Sequence, residues 1–408
     1  MSITTSADTI GSLMAELATP EAQADPYPVY ARMHELGDAM TMPDGTVVVT
    51  GYQACSAVLR DNRLRKSPGE VLTAAGYPDW LERPSLRMLF GSMLMLNPPA
   101  HARLRGLVSR SFTAHRVAQL RDSVQRIADE LLDQLPGSVE FVDQVAFPFP
   151  VAVIGELLGI PAEDRSMFQP WVRDWTSVLE ILNPLAVDTA DAAAVQIDAY
   201  LRTLARKRRS NPTDDLISAL AAQEGSGECL SEDEVVTMAA LILGAGFETT
   251  TGLLSNGLLA LIGAPEQAAL LRSRPELAGS AVEELLRYDT PIQMLYGRTA
   301  VEDMLVGELE VSTGQRLLTI VGAANRDPQQ FSDPERLRLD RDEGRPLSFG
   351  GGIHHCLGAA LARLETQVMI LELVRRYPNV RLAGEPVRRT GLLIRGYTSL
   401  PVALDGRK

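Results

Sequence analysis

The chain has 408 residues, of which 45% are hydrophobic, and 39 Lys and Arg against 52 Asp and Glu give it a formal net charge of −13. This acidic balance argues against nucleic acid as a partner. The three cysteines are odd in number, widely spaced and never in a CxxC pair. That usage argues against a disulfide framework or a structural zinc site and fits a reducing cytoplasm.

The sequence indicates neither an export signal nor a membrane span. The N-terminus lacks a basic region and carries Asp8 and Glu16, which is not typical of a signal peptide. The most apolar run, Val235–Phe247, is too short to cross a bilayer and is followed at once by Glu248. We therefore expect a cytoplasmic protein without membrane contact.

Taken in chain order, the predicted elements form a mainly helical fold with small sheets. Asp44-Gly45 before a Val-rich run predicts a hairpin within Met42–Tyr52, and helical patterns then dominate to about residue 280. Val306–Asp327 predicts short strands and turns, and a last helix is predicted from near Cys356 to Tyr377. The predicted breaks are Asn97–His101, Leu135–Ser138, Ser210–Asp215 and Gln223–Glu228. No stretch reads as a linker between two domains, so we expect one domain over residues 1–408.

The longest predicted helix lies within Leu230–Glu266. Ser231 and Glu234 form a capping-box pattern at its start. Its middle reads GAGFETTT, although each interior glycine costs about 1 kcal/mol relative to alanine. Small residues there suit a helix against which a bulky planar group presses. We also expect the Thr249 hydroxyl to bond the carbonyl of Ala245, four residues back.

The segment Ser348–Glu365 places a lone cysteine after three glycines and before an apolar helix face. The glycines let the loop bend tightly and approach a flat group. Cys356 then lies at the positive end of a helix dipole, where a lowered thiol pKa favours the thiolate. Such a thiolate is either a nucleophile, which needs a base such as His354 or His355, or a metal ligand. A single protein sulfur is sufficient for haem, whose porphyrin supplies four nitrogens. A plain buried cysteine would fit the same pattern.

The segment FGGGIHHCLG resembles the haem-binding signature of the cytochrome P450 family, F-x-x-G-x-x-x-C-x-G. The fixed positions of the signature are filled by Phe349, Gly352, Cys356 and Gly358. Gly351 stands where histidine is frequent in bacterial members, and His355 stands where an aromatic residue is usual. Family-like segments run from Asp25 to Val402, so the resemblance covers nearly the whole chain. It implies the family's single-domain triangular fold, in which a small β-containing N-terminal lobe is interleaved with a large helical lobe.

Two further segments resemble family motifs. AGFET (Ala245–Thr249) is similar to the oxygen-activation motif [AG]-G-x-[DE]-T, which implies that Thr249 and Glu248 serve oxygen activation and proton delivery, with Ala245 against the haem. EELLR is similar to the buried ExxR pair. That pair, with a third arginine from DPERL, has a structural role in the family and falls here on Glu284, Arg287 and Arg336. The residues that match the family's haem-propionate contacts are His101, Arg105, Arg298 and His354.

The resemblance implies a monooxygenase with haem b, in which Cys356 is the axial thiolate ligand. Phe349 would shield the sulfur, and the N–H groups near Leu357 and Gly358 would moderate its charge. The implied enzyme is a monomer that uses O2 and receives electrons, ultimately from NAD(P)H, through a ferredoxin and a ferredoxin reductase, because the sequence carries no flavin or iron–sulfur pattern. The basic patch expected to bind the ferredoxin consists of Arg103, Arg110 and Arg363.

The implied substrate is an apolar molecule of medium or large size that is hydroxylated or epoxidised. Secondary metabolites of this kind include macrolides and other polyketides, terpenoids and steroid-like compounds. The segments that would line the substrate site by family analogy are Leu64–Leu96, Trp171–Leu185, Leu243–Phe247, Pro291–Leu295 and Leu392–Thr398, and they are largely aliphatic. The residues expected to contact the substrate are Leu243, Phe247, Ile292, Met294 and Leu295.

Two functions of other classes remain open from the sequence. A haem-thiolate protein that binds or senses small molecules would keep Cys356 but would give no product when supplied with electrons and oxygen. A hydrolase with Cys356 as its nucleophile would be colourless. It would also leave Glu284, Arg287 and Arg298 unexplained.

Overall fold

The computed structural model describes residues 6–112, 114–180, 186–222 and 229–405. The fold is mainly helical with small sheets, as the sequence predicts. The α-helices are α1 Ser6–Leu17, α2 Pro20–Ala24, α3 Tyr27–Leu36, α4 Tyr52–Arg60, α5 Pro68–Ala74, α6 Pro84–Phe90, α7 Ala100–Ser111, α8 Ala114–Gln119, α9 Arg121–Asp133, α10 Pro148–Leu158, α11 Phe168–Thr176, α12 Val187–Ser210, α13 Leu216–Ala221, α14 Glu232–Gly263, α15 Pro265–Ser273, α16 Ala278–Tyr288, α17 Val321–Ala324 and α18 Ala359–Arg376. Short 3-10 helices lie at Trp80–Glu82, Ala162–Met167, Ser177–Leu179, Pro275–Leu277 and Gly352–His354, and Val142–Ala146 forms a π-helical turn.

The strands are short and form one main sheet and three small ones. They are β1 Ala39–Thr41, β2 Val47–Val49, β3 Leu64–Lys66, β4 Ser138–Glu140, β5 Met294–Ala300, β6 Met304–Val306, β7 Leu309–Val311, β8 Arg316–Ile320, β9 Arg381–Leu382, β10 Val387–Arg388, β11 Tyr397–Ser399 and β12 Pro401–Ala403. The main sheet has the order β1-β2-β8-β5-β3, with β2 and β8 parallel and the other pairs antiparallel. The small sheets are β4-β12-β9, β6-β7 and β10-β11.

The sequence predicts most of these elements and their breaks. The hairpin β1-β2 turns at Gly45, whose φ of 81° lies in the left-handed region that favours glycine. Three of the predicted breaks overlap connections: Asn97–His101 ends two residues inside α7, Leu135–Ser138 ends on the first residue of β4, and Ser210–Asp215 starts on the last residue of α12. The fourth, Gln223–Glu228, lies outside the described residues.

The long helix α14 runs through the centre of the helical part of the molecule. Ser231 and Glu234 form the predicted capping box at its start, and the helix packs against α10, α12, α16 and α18. Of the helices that the structure describes, α14 alone is long and apolar enough to cross a membrane, and 72% of its apolar window is buried inside the protein. Burial in the core accounts for its composition.

A buried carboxylate joins the end of α11 to the C-terminal part of the chain. Glu180, which follows the 3-10 helix Ser177–Leu179, accepts the backbone N–H groups of three consecutive residues, Leu392, Leu393 and Ile394, at 2.9, 3.1 and 2.9 Å. Its side chain is buried, and a Cβ on Gly391 would come within 2.5 Å of it. The carboxylate therefore fixes the backbone of residues 391–394, hereafter the C-terminal loop.

Candidate active site

Cys356 lies in the turn between the 3-10 helix Gly352–His354 and α18, three residues before α18 begins at Ala359. Its N–H donates to the carbonyl of Phe349 at 2.9 Å, and the N–H groups of Gly358 and Ala359 donate to its sulfur. The residue exposes surface, yet the protein around it desolvates its thiol. The side chain of Cys356 therefore borders an internal cleft rather than bulk water.

Burial raises the pKa of the Cys356 thiol, and it outweighs the opposing effects of the Gly358 and Ala359 N–H groups and of the Arg105 and Arg363 guanidiniums. The prediction that the helix dipole lowers this pKa is therefore wrong for the polypeptide itself. The sulfur lies before the helix and loses more by desolvation than it gains from the dipole. A metal ion bound to the sulfur would deprotonate it outright.

The glycines before Cys356 allow the loop to press against the end of α4. Gly350 and Gly352 have φ values of 67° and 61°, in the left-handed region. A Cβ on Gly352 would lie 2.8 Å from the carbonyl oxygen of Leu59, and a Cβ on Gly351 would lie 3.2 Å from the Leu59 Cβ. The absence of a side chain at Gly351, where the sequence departs from the usual bacterial form, thus has a packing reason.

Phe349 is partly buried, and its ring lies under the guanidinium of Arg363, 4.4 Å from the ring centroid. The ring of His355 lies 6.5 Å from it and is tilted by 49°. The Phe349 ring, which we expect to shield the sulfur of Cys356, is therefore held in place by the Arg363 guanidinium.

The middle of α14 exposes surface to the interior. Ala245 is exposed and Thr249 is half-buried, although their neighbours Leu243, Phe247 and Glu248 are buried. The Thr249 hydroxyl donates to the Ala245 carbonyl at 2.9 Å, as expected from the sequence. Because Ala245 lies in mid-helix inside the fold, its exposed side borders a cavity.

Gly244 and Gly246 of α14 were expected to make room for a planar group, but they make room for neighbouring side chains instead. A Cβ on Gly244 would lie 2.6 Å from Cζ3 of Trp175, and a Cβ on Gly246 would lie 1.9 Å from Cδ1 of Ile154. These glycines make room for side chains of α11 and α10. The surface that a planar group could contact is that of Ala245.

Five basic side chains gather near the Cys356 loop: Lys66, His101, Arg105, Arg298 and His354. Four of them were predicted to bind propionates, and Lys66 was not. The rings of His101 and His354 lie 4.4 Å apart. Across the described part of the chain, none of the five forms an ion pair with a carboxylate. The cluster therefore lacks a directly paired anion, and the Asp61 carboxylate acts on Arg298 only from a longer distance.

The hydrogen bonds of the cluster go to backbone carbonyls. Arg298 donates to the carbonyls of Val58 and Leu59 at 3.3 Å each, and Lys66 Nζ donates to the carbonyl of Tyr296 at 3.1 Å. Arg105 donates to the carbonyl of His355 at 2.7 Å, which ties α7 to the Cys356 loop.

The pKa values of these groups show how strongly they repel further positive charge. Burial and the charge of Arg298 lower the pKa of Lys66 to about 7. Burial, together with Lys66, His101, Arg298 and Arg105, lowers the pKa of His354 to about 3. Burial also lowers the pKa of His101 and that of Arg298. A buried anion would relieve each of these costs.

These residues fit haem. Propionates are the buried anions that the basic cluster lacks, and Ala245 leaves a small surface for a flat ring. In the part of the chain that the structure describes, no three His, Cys, Asp or Glu side chains gather into a metal site. A metal bound by Cys356 must therefore bring its other ligands with it, as haem iron does.

The predicted structural pair Glu284 and Arg287 is buried on α16, with nitrogen–oxygen distances of 2.7 and 2.9 Å. The third member was predicted to be Arg336, and this is wrong. Arg341 donates to Glu284 at 3.1 Å and is buried, whereas the side chain of Arg336 is exposed and only its carbonyl accepts from Arg287 and Arg341. The signal for Arg341 was weak, because it stands between Asp340 and Asp342 and looks like a solvated charge.

Glu248 is buried and forms an ion pair with Arg389, which follows β10. Sequence reasoning missed this partner, because 141 positions separate the two residues and the stretch around Arg389 shows no motif.

Three of the predicted substrate contacts do not line a cavity. Leu243 and Phe247 are sealed in the main core, where Phe247 stacks edge-to-face on Phe147. Met294 is buried against the N-terminal helices. Ile292 and Leu295 are half-buried, and Ile292 forms a β-bridge with Ile394 of the C-terminal loop. Of the predicted segments, residues 181–185 lie outside the described residues.

The predicted basic patch is also partly wrong. Arg103 pairs with Glu234 and Arg363 pairs with Glu283, so neither charge is free. The guanidiniums that act on His355, beside Cys356, are those of Arg363, Arg105 and Arg60. Because Arg363 is paired with Glu283, the positive surface next to the cysteine is centred on Arg60 and Arg105.

Comparison with protein-family models gives a match to the model described as Cytochrome P450, over residues 163–386. Cytochrome P450 107B1 of Saccharopolyspora erythraea is 40% identical over 87% of this chain and 88% of its own length. The polyketide biosynthesis cytochrome P450 PksS of Bacillus subtilis is 38% identical over 88% of this chain and 89% of its own. The ligand-free crystal structure of CYP164A2 of Mycobacterium smegmatis superimposes with a TM-score of 0.87 at 35% identity, covering 96% of this chain and 99% of that one.

Proposed function

Because the chain belongs to the cytochrome P450 family and is a cytochrome P450 monooxygenase, we propose that it inserts one oxygen atom from O2 into an apolar, polyketide-type secondary metabolite. The outcome would be hydroxylation or epoxidation. The observation that carries this function is Cys356, a single sulfur on an internal cleft beside five basic groups that have no anion.

The proposed cofactor is haem b. When bound, it would supply the redox chemistry that activates oxygen, and a thiolate ligand from the protein would favour that chemistry. Cys356 would be its protein ligand, and the N–H groups of Gly358 and Ala359 would moderate the charge of the sulfur. Phe349 would keep water from the sulfur, and Ala245 would leave room for the ring.

The basic cluster would hold the two propionates. His101, Arg105, Arg298 and His354 match the family pattern, and Lys66 adds a fifth group from β3. Charge-assisted hydrogen bonds to carboxylates are about twice as strong as neutral ones. The cluster would therefore set both the position and the retention of the cofactor.

Proton delivery is assigned to Thr249 and Glu248. The Thr249 hydroxyl lies on the side of α14 that borders the cavity, with its proton donated to Ala245. Glu248, one residue earlier, is buried and forms an ion pair with Arg389. Thr249 would hand protons into the cavity, and Glu248 would resupply them.

The substrate class rests on the apolar surroundings and on the relatives. Ile292 and Leu295 are apolar residues of the predicted lining. Both are half-buried, so part of each side chain is accessible to a substrate, and Leu392 of the C-terminal loop is half-buried as well. PksS, at 38% identity, is named for polyketide biosynthesis. An apolar cavity with few polar groups selects a large apolar molecule and orients it through a small number of contacts.

The proposed electron donor is a ferredoxin, reduced by a ferredoxin reductase at the expense of NAD(P)H. Ferredoxin would dock where Arg60 and Arg105 lie beside His355, because a positive patch beside the cysteine attracts an acidic partner despite the net charge of −13. We further propose that the chain acts as a single-domain monomer in the cytoplasm.

An absorption spectrum tests the cofactor. The purified protein is recorded oxidised, and then reduced under carbon monoxide. We expect a red-shifted Soret band that Cys356→Ala lacks and that the matched control Cys55→Ala keeps, because Cys55 is buried among β2 and α4. A colourless protein that takes up no added haem would overturn the proposal and would return Cys356 to the role of a nucleophile.

Titration with candidate substrates tests the second half of the proposal. A panel of macrolactones, a terpenoid and a steroid is added to the oxidised holoenzyme, and the spin-state shift of the Soret band is followed. We expect the macrolactones to shift the Soret band with the lowest dissociation constants. With ferredoxin, its reductase and NADPH, we expect them to give hydroxylated or epoxidised products. A haem-thiolate binding protein would give shifts without product.

A further inference from the structure

The buried carboxylate of Glu248 is held by one cation from a distant part of the chain. Its side chain is 8% exposed, that of Arg389 is 19% exposed, and Nη1 of Arg389 donates to Oε2 of Glu248. Among the described residues, Arg389 is the one cation with an ion pair to Glu248. The position of the carboxylate therefore depends on where Arg389 is placed.

The backbone fixes Arg389. It follows β10, and its N–H donates to the carbonyl of Gly396 at 3.1 Å, which continues the pairing of β10 with β11. Two residues later begins the C-terminal loop, whose N–H groups are held by Glu180. Arg389 thus projects from a segment that is anchored on both sides.

Arg389 cannot itself carry a proton, since a guanidinium is not deprotonated in proteins. It can act on proton transfer only by position and charge. A carboxylate that is paired with a guanidinium accepts hydrogen bonds and is held away from other partners. Arg389 therefore determines where the Glu248 carboxylate lies, and that position sets how often a proton reaches Thr249.

We propose that Arg389 is a positioning residue that holds Glu248 in the conformation from which it resupplies protons to Thr249. This proposal rests on the proposed monooxygenase function. Each O2 that is reduced to peroxide takes up two electrons and two protons, and each O2 that is reduced to two water molecules takes up four of each. Both reactions draw on the proton supply, and neither requires an organic substrate.

The test measures O2 consumption by the holoenzyme without organic substrate, with NADPH, ferredoxin reductase and an excess of ferredoxin. Arg389→Gln should slow the consumption roughly 10-fold, because a positioned acid or base contributes on the order of 10² to 10⁴ in rate and loses part of it when misplaced. The solvent deuterium isotope effect should rise, because proton supply becomes rate-limiting. Arg389→Lys should restore most of the rate, since it keeps a cation at the same place.

Two controls separate positioning from a general loosening of the segment. Arg388→Gln removes a neighbouring arginine that pairs with Asp289 and stacks over Tyr397, and it should leave the isotope effect unchanged. In the double variant Glu248→Gln/Arg389→Gln, the second change should add nothing to the first, because Arg389 acts through Glu248. A crystal structure of Arg389→Gln should show the Glu248 carboxylate displaced.

The outcomes distinguish this proposal from the one on which it rests. A missing red-shifted band under carbon monoxide would overturn the monooxygenase assignment itself. With that band intact, an unchanged O2 rate and isotope effect in Arg389→Gln would overturn the role of Arg389. Equal losses in Arg388→Gln, or fully additive losses in the double variant, would do the same, since they would show a structural effect only.

Discussion

The side chain of Asn97 pairs with the backbone of Lys66 in both directions: its Oδ1 accepts the Lys66 N–H and its Nδ2 donates to the Lys66 carbonyl, each at 2.8 Å. An aspartate at this position could not make the second bond, because an ionised carboxylate has no donor. Asn97 therefore fixes the strand residue that brings a fifth basic group to the cluster.

Lys66→Met should change the free and the loaded protein in opposite directions. Without haem, the variant should be more stable by about 1 kcal/mol, because it removes a desolvated ammonium that has no paired anion. With haem, it should release the cofactor several-fold faster, because a propionate contact is lost. Thermal unfolding of the apoprotein and transfer of haem to apomyoglobin measure the two effects. Arg65→Met, an exposed change on the same strand, is the control and should alter neither.

Arg341→Met should lower the free energy of unfolding by about 3 kcal/mol, because it removes a partner from the buried carboxylate of Glu284. Arg336→Ala should change it by no more than about 0.5 kcal/mol, since the exposed side chain takes no part in the network. Denaturant unfolding of both holoenzyme variants measures the difference. A larger loss in Arg336→Ala would restore that residue as the third member.

Glu365→Gln should stabilise the protein at alkaline pH. Burial raises the pKa of Glu365 well above its ordinary value, and one of its oxygens has no hydrogen-bond partner. The folded state thus keeps a proton that the unfolded state gives up above about pH 4.5. Wild-type stability should fall as the pH rises from there towards the folded pKa.

The glutamine variant lacks this loss, so its advantage should grow between pH 5 and pH 8 in denaturant unfolding. The control is Glu372→Gln on the same helix, whose carboxylate pairs with Arg375 and Arg376, and it should bring no such gain. A constant difference between Glu365→Gln and wild type across this range would contradict the assignment.

Gly244→Ala should destabilise the protein by about 1–3 kcal/mol, although alanine is the better helix former. The new Cβ would meet Trp175, which is fully buried and whose indole N–H donates to the Ser85 carbonyl at 3.2 Å, so the ring has no room to move. Gly106→Ala, inside α7 with open space around its Cβ position, should instead stabilise by about 0.5–1 kcal/mol. Thermal unfolding of the two variants measures the contrast.

The sequence predicts those parts of the site whose partners are close along the chain. The capping box, the bond from Thr249 to Ala245 and the pair Glu284–Arg287 all lie within four residues, so helical spacing is sufficient to find them. Lys66 and Arg389 have partners that only the tertiary fold brings near, and locally each resembles an ordinary surface charge.

The wrong substrate contacts have a geometric cause on one helix. Residues two positions apart on an α-helix are separated by about 200° around its axis. Since Ala245 and Thr249 face the cavity, Leu243 and Phe247 must face the core on the other side. The bond from Thr249 to Ala245 and this spacing together would have excluded them.

The hydrogen bonds from the C-terminal loop to Glu180 determine which mutations the loop tolerates. The carboxylate holds main-chain N–H groups, so the conformation of the loop does not depend on which side chains stand at positions 392–394. Leu393 and Ile394 are buried, Leu392 is half-buried with its covered side against the N-terminal helices, and Gly391 must stay small. Mutation at position 392 thus changes the exposed part of one loop residue, while the hydrogen bonds to Glu180 keep the backbone of the loop in place.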